Sequence, residues 1–440
     1  MRMHGNRCSV KSAWIWLGTA LAALSLPGLA KAEIVAPTAS QALLTVARDG
    51  SPRVGYMSGR DVVVARRTAG GWKFVRAGRV PGTRPVLAGL AVDGRLRTSV
   101  LVEAENGSWL ALSSRGGKLR VVARPRKKGE SIGPAGLTLD AAGRPAFAYA
   151  LRRSSGKTWL RLVTTDARGR LHTHGITKGG FPSSTFVAGA APVLVGRRLH
   201  VVETYTDAAI DWGPKSGGGW EGQFLFASRD GTPAGRVGAL ASGAGLWSAW
   251  SEVTSEGPSV LLTLSADTQT TAIAAESGIF ASLLVDRGNA EVGAYDWTTL
   301  GDTFVYAGLL ADANGTFTEV DGRLDGYART PAGGRQLLLT TPSGLEWFES
   351  SARPAIRVSA NANGGAVAGR VDGATSGVVD IYRETAATRI LAGHVELAAE
   401  GSFSFRDTPP LSPVPFVYRA VYVDPATSIP YASLVRSAVG

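Results

Sequence analysis

Residues 200–226 hold the densest set of groups in this chain that can do chemistry. Glu203, Asp207, Asp211 and Glu221 supply four carboxylates, and Tyr205, Trp212 and Trp220 stand among them. Two carboxylates about 5 Å apart suit retaining cleavage of a glycosidic bond, and a wider gap suits inversion. The indole faces can stack on a sugar ring. The same residue types also have a plainer use, with tryptophans packed between strands and acids capping turns. The stretch includes the loop Gly217, Gly218, Gly219 and falls in the longest of several repeats, which reads as an insert on a rigid scaffold, where binding surfaces collect. These seven residues are the candidate ligand-binding set, and no catalytic residue is assigned.

Other groupings are sparser. His172 and His174 share one face of a strand, but no third ligand accompanies them. Asp207 and Asp211 lack the spacing of a calcium loop. The Gly217–Gly219 run has no following Lys-Ser/Thr for a phosphate loop, and no serine elbow is present. The single cysteine, Cys8, precedes an apolar run near the N-terminus, so the rest of the chain has no thiol chemistry. The expectation is no metal and no cofactor. Arg120, Arg124, Arg126, Lys127 and Lys128 form a basic cluster that reads as a solvated charge run.

The elements that must position these groups are strands. Six segments open on glycine and continue as a strand: 50–56 (GSPRVGY), 94–100 (GRLRTSV), 143–149 (GRPAFAY), 196–202 (GRRLHVV), 257–263 (GPSVLLT) and 301–307 (GDTFVYA). Their glycines are 44, 49, 53, 61 and 44 residues apart. A period of that size without helical patterning predicts a β-propeller with one four-stranded blade per repeat. A seventh repeat can run from Gly334 to about Glu349, with the strand near 41–47 completing the last blade. The predicted fold is therefore all-β: a six- or seven-bladed propeller over 33–353, followed by a small immunoglobulin-like β-sandwich over 354–440. Trp72, Trp109, Trp159 and Trp212 recur 15 to 22 residues after their glycines, which predicts a packing role.

Two resemblances follow from these motifs. Residues 401–407 (GSFSFRD) and 418–427 (YRAVYVDPAT) resemble the closing half of immunoglobulin-like modules on secreted actinobacterial proteins. The repeats are similar to secreted bacterial propellers with sialidase-like repeats. Their turn signature, Ser-x-Asp-x-Gly-x-Thr-Trp, is matched in part at 228–233 (SRDGTP) and 165–171 (TDARGRL), each without the tryptophan. The resemblance implies an architecture and carries no catalytic residue. A sialidase also needs three arginines gripping a carboxylate, and no spacing here singles out such a triad.

Location and charge complete the reading. Arg2, Arg7 and Lys11, the apolar run 13–26 and Ala30-Lys31-Ala32 make residues 1–32 a cleavable export signal. No later stretch is apolar enough to span a membrane. Residues 33–200 carry 28 basic and 9 acidic side chains, and 201–353 carry 8 and 19, so one half of a ring should be basic and the other acidic. Such a field steers charged partners. The expected protein is secreted, extracellular and unanchored. It recognises an extracellular polymer or protein partner, a carbohydrate or cell-wall polymer, through the propeller face, and it binds no nucleic acid. The competing expectation is an extracellular carbohydrate-cleaving enzyme of sialidase-like or other glycoside-hydrolase type. The exported chain is expected to begin at Glu33, which intact-mass measurement of secreted material checks; a mass that retains residues 1–32 overturns the signal reading.

Overall fold

The computed structural model describes residues 32–80, 85–177, 187–205, 208–227, 232–243, 245–254, 257–264, 267–273, 279–286, 289–300, 303–312, 316–363, 365–385, 388–408 and 416–439. The signal segment, Asp207, Gly301 and the proline-rich stretch 409–415 lie outside these residues. Among the described residues the chain is all-β, with no α-helix.

Seven four-stranded antiparallel units follow one another along the described chain. The first contains Ala42–Val46, Pro52–Ser58, Asp61–Thr68 and Gly71–Arg79, hydrogen-bonded in that order. The second runs from Pro85–Val92 to Arg120–Ala123, and the third from Ser131–Leu139 to Leu171–Gly175. The fourth spans Val187–Val195 to Trp220–Ala227, and the fifth Thr232–Ser242 to Asp267–Ile273. The sixth spans Ile279–Asp286 to Phe317–Asp321. The seventh contains Arg323–Arg329, Arg335–Thr341 and Gly344–Ser350, and takes its outermost strand, Glu33–Ala36, from the other end of the chain. The first strand of each unit packs against the first strand of the next, and the seventh returns to the first. This is a propeller-like ring.

A local device repeats in the turns. In Asp140–Arg144 the carboxylate accepts from the amides of Ala142 and Arg144 (2.9 and 2.8 Å) and from Arg144 Nε (2.7 Å), while Gly143 takes φ +69°, where a side chain would be strained. Asp93 binds Arg95 and Arg97 in the same way. At Gly50, Gly94 and Gly143 the glycine-led sequence signal is thus a hairpin between first and second strands held by an aspartate, whereas the strand that follows Gly301, Thr303–Asp312, is the third of its unit.

That register corrects the reading of the repeats. In the fifth unit the first hairpin closes between Ser242 and Gly245, so Gly257 opens the third strand. From Gly196 to the equivalent Gly243 is 47 residues, no more than the 49 from Gly94 to Gly143. The fourth repeat is therefore not expanded, and 200–226 is not an insert. It is the remainder of an ordinary unit, and Gly217–Gly219 belong to a hairpin closed by Lys215 N on Gly219 O (3.1 Å). The closing strand also differs from expectation: Glu33–Ala36 completes the last unit, and residues 41–47 supply the innermost strand of the first. Glu33 is anchored because Arg67 grips it with two bonds (2.9 and 2.6 Å) and lies over the Trp347 ring, which meets Trp72 edge to face.

Beyond the ring, Arg357–Asn363, Ala366–Asp372 and Ser402–Arg406 form one sheet. Val378–Glu384, Arg389–Glu396, Phe416–Val423 and Pro430–Val439 form another, which joins the sixth unit at Val320 and Tyr431 into eight strands. Val358, Val367, Ile381, Phe403 and Tyr418 of this segment share one core with Leu324 and Phe348 of the ring. At the junction Arg419, fully buried, reaches Glu384 (2.6 Å), Asp321 (3.1 Å) and the Tyr306 carbonyl (3.1 Å), and Arg389 grips Asp321 (3.0 and 2.7 Å). Truncating Arg419 would leave two buried carboxylates short of a partner, so Arg419→Ala is expected to lose about 3–5 kcal/mol in urea denaturation. A loss below about 1 kcal/mol would mean that the junction does not bear on stability. Deleting residues 33–36 is expected to lower the thermal midpoint by opening the ring.

Candidate functional site

The innermost strands surround the ring axis, and six of their seven pairings with the second strand are broken by a register shift. The shifts fall between Leu87 and Gly89, Ile132 and Ala135, Val187 and Gly189, Ala234 and Val237, Phe280 and Ser282, and Leu324 and Gly326. A bulge leaves residues out of the ladder and bends the strand. Here it turns them to the axis, where a cavity of about 770 Å³ is lined by Ala88, Gly133, Pro134, Arg236, Ala281 and Asp325. The glycine after the bulge lets the next unit close in: a Cβ on Gly136 would lie 2.4 Å from the Ala190 carbonyl.

Small residues dominate this bulge layer, so Arg236 and Asp325 stand out. Arg236 reaches across from the fifth unit and donates from Nη2 to the Leu87 carbonyl of the second. The Leu87 amide, freed by the same bulge, donates to Gln41 Oε1 of the first unit (2.9 Å). Asp325 accepts from Arg323 Nε (3.0 Å) and from the Thr340 hydroxyl. A second layer comes from the second strands, at the position paired two residues before the bulge. Glu103 and Tyr295 occupy it opposite Val86 and Ile279, and Arg152 occupies it opposite Ser131. All three line the same cavity.

Burial sets the electrostatics. It pushes the Glu103 carboxyl up to about 8, opposed by the Arg236 charge and the Ala135 amide, and Glu103 Oε2 is buried without a partner. Burial likewise raises Asp325, against the pull of Arg323, and lowers the Arg236 guanidinium. At neutral pH the Glu103 carboxyl is largely protonated, so the mouth offers cationic Arg236 beside a neutral acid. That combination can hold a polar or anionic group.

The sequence-derived candidates sit elsewhere. Glu203 is in the second strand of the fourth unit and fully buried; Trp212 Nε1 donates to its Oε2 (2.9 Å), and burial pushes it up to about 8. Asp211 projects from the opposite face of that sheet and meets His200 Nδ1 (3.1 Å). Glu203 and Asp211 therefore do not converge. Glu221 is exposed, 3.9 Å from Lys215, while Trp212 and Trp220 pack on the core beside Leu160. Tyr205 ends the Arg198–Tyr205 strand, and Asp207 is outside the described residues. None of the described candidates lines the axial cavity. His172 and His174 are engaged separately, by Asp166 (3.2 Å) and by Thr164 (3.0 Å).

Glu103, Arg236 and Asp325 were missed because each lies in a different repeat, with no second candidate near it in sequence to mark a shared site. A signal existed for two of them: Glu103 and Arg236 interrupt apolar or glycine-rich segments (TSVLVEA, TPAGRVGAL), and Arg236 is the sole basic residue between Arg229 and Arg287.

No family model and no curated protein matches this sequence. Among solved structures it is similar to AofleA from Arthrobotrys oligospora, at 11% identity and TM-score 0.42, over 67% of this chain and 90% of that one. It is also similar to a protein of unknown function from Dyadobacter fermentans, at 11% identity and TM-score 0.44, over 65% and 100%. A gluconolactonase from Xanthomonas campestris is 12% identical with TM-score 0.40, over 73% and 90%. Likeness at this level carries neither ligand nor activity across. The class that the sheet order itself defines is an all-β, propeller-like ring with a polar axial site.

A raised carboxyl has a stability signature. Unfolded Glu103 ionises near the usual glutamate value, about 4.3, whereas the folded group holds its proton to about 8. Native stability is therefore expected to fall relative to Glu103→Gln as pH rises from about 4.5 to 8, and then to level off. Parallel denaturation of both proteins at pH 4, 6, 8 and 9 checks this; a constant difference would refute a buried neutral Glu103.

Proposed function

We propose that this chain is an exported binding protein that takes an extracellular ligand, a carbohydrate or cell-wall polymer, at the polar mouth of its axial channel. In this reading residues 1–32 are the signal, 33–353 a seven-bladed propeller and 354–440 an immunoglobulin-like module. Seven four-stranded units in cyclic contact support the first assignment, and seven strands in two sheets around one core support the second. The observation that carries the function is the channel mouth: small residues recur at the bulges, yet Arg236 and Asp325 replace them, with Glu103 and Tyr295 alongside. Buried charge costs stability, so its presence in a cavity of ligand size points to recognition.

Carbohydrate cleavage is a second reading with one observation in its favour. A Glu103 carboxyl that keeps its proton near neutral pH is in the state a general acid needs, and Asp325 shares the cavity. A screen of glycans and cell-wall polymers at low and high salt separates the two. Arg236→Ala is expected to weaken binding at least tenfold while Glu103→Gln binds. Binding unaffected by Arg236→Ala would remove the channel from the proposal. Turnover lost in Glu103→Gln would establish the enzyme reading instead.

A further inference from the structure

One connection across the face of the ring is strongly basic. Residues 124–130 (RPRKKGE) join the outermost strand of the second unit, Arg120–Ala123, to the innermost strand of the third, Ser131–Leu139. Such a link has to cross from the rim of the ring to its axis. It arrives at the polar cavity, because Ser131 and its cross-strand partner Arg152 both line that cavity. The corresponding connections in the sequence are 80–84, 176–186, 228–231, 274–278 and Gly322, and each holds at most one basic residue. In 124–130, by contrast, Arg124, Arg126, Lys127 and Lys128 are all exposed, and none forms an ion pair among the described residues. The acid beside them is spent on the backbone. Glu130 accepts from the amides of Arg126 and Lys127 (both 3.1 Å) and from Arg153 Nε (3.0 Å), and the Arg153 guanidinium lies 4.3 Å from the Trp159 ring centroid. These bonds fix the loop while its four cations, set within five residues, repel one another. A polyanion lying along the loop removes that repulsion.

The axial end of this track is a cation without a counter-charge. Buried guanidinium groups elsewhere meet carboxylates: Arg335 meets Glu291 (2.5 Å), and Arg419 meets Glu384 (2.6 Å). Among the described residues Arg236 meets only the neutral carbonyl of Leu87. Of the acids that line its cavity, Asp325 is already held by Arg323 and Thr340, and Glu105 is exposed. Glu103 keeps its proton near neutral pH. Arg152, Arg323 and Tyr295 are the other titratable groups of that wall. An anionic oxygen from a ligand would give Arg236 a charge-assisted bond where it now has a neutral one.

We propose that the ligand is a linear, hydroxyl-rich polyanion that lies along residues 124–128 and ends with an anionic group at Arg236. This rests on the binding reading and names the ligand class for that same site. Carboxylates on sugar rings and phosphodiesters between polyols share the chemistry that matters, anionic oxygens at intervals among hydroxyls. The axial cavity takes the end of the chain, where Tyr295 and the neutral Glu103 carboxyl meet its hydroxyls, and the loop cations take the anionic groups that follow. Four strands side by side put rim and axis roughly 15 Å apart. A ligand that touches both is therefore an oligomer, and a monomer reaches the axial end alone.

The test is calorimetric titration of the exported protein with oligogalacturonate and with oligo(glycerol phosphate), at low and high salt. A neutral maltooligosaccharide and a single-stranded oligonucleotide are the comparison ligands. At least one acidic oligomer is expected to bind roughly tenfold more tightly than the neutral one, with an advantage that shrinks as salt rises. Whichever acidic oligomer binds more tightly identifies the anionic group. Substituting Lys127→Ala and Lys128→Ala together, at exposed sites, is expected to weaken the acidic oligomer roughly tenfold and flatten its salt dependence. The same pair should leave binding of the monomer, galacturonate or glycerol phosphate, unchanged, whereas Arg236→Ala should abolish it. If neutral and acidic oligomers bind equally, the polyanion proposal falls and the binding reading stands. If neither binds, both fall. Acidic-oligomer binding that the lysine substitutions leave unchanged overturns the path from rim to axis. An oligonucleotide bound as tightly as the acidic saccharide would make the track a nucleic-acid surface and would also overturn the proposal.

Discussion

The fold depends on each four-stranded unit burying its faces against both neighbours. A row of twisted units leaves two such faces bare unless the last packs on the first. The contact between Arg323–Arg329 and Ala42–Val46 closes the inner circle, and Glu33–Ala36 on Gly344–Ser350 fastens it from outside. The outer fastening is reinforced by the Arg67 fork on Glu33 and by the Trp347 ring beneath Arg67. Closure in turn forces the inner strands together around an axis. The bulges and close-packing glycines follow from that crowding, and the channel follows from the bulges.

The charge asymmetry also acquires a physical meaning. Several carboxylates of the acidic half are consumed by arginines that follow them in the chain. Asp321 meets Arg389 and Arg419, Asp312 meets Arg353, and Glu291 lies against Arg335 and the Tyr327 hydroxyl. Part of the acidic excess thus docks the C-terminal segment, at Asp321, and ties the sixth unit to the seventh, at Asp286 and Glu291. The two parts of the molecule share a continuous hydrophobic core, with an ion network at its border.

Legibility differed between scaffold and site. Strand content, the repeat and the hairpin turns could be read directly because each is a local property: alternation, β-branched residues and Asp-Gly chemistry act within a few residues. The register of the repeats was harder. Gly257 looks like its predecessors yet begins a third strand, since hairpins between second and third strands use the same turn residues. Counted with the first-strand turns, Gly257 lengthens the repeat that holds 200–226; counted by the ladder, that unit is of ordinary length. The carboxylates there form no pair because neighbouring residues on a strand face opposite sides, which puts Glu203 and Asp211 on different faces.

Taken alone, then, the sequence determined an all-β chain of repeated hairpins with a distinct C-terminal segment, because those features are encoded by neighbours. Only the tertiary structure decided which strand fastens the ring and which charges face its axis. Glu103, Arg236 and Asp325 are separated by more than two hundred residues from first to last and belong to the second, fifth and seventh units. They share a cavity because a ring converts equivalent positions in distant repeats into neighbours around one channel.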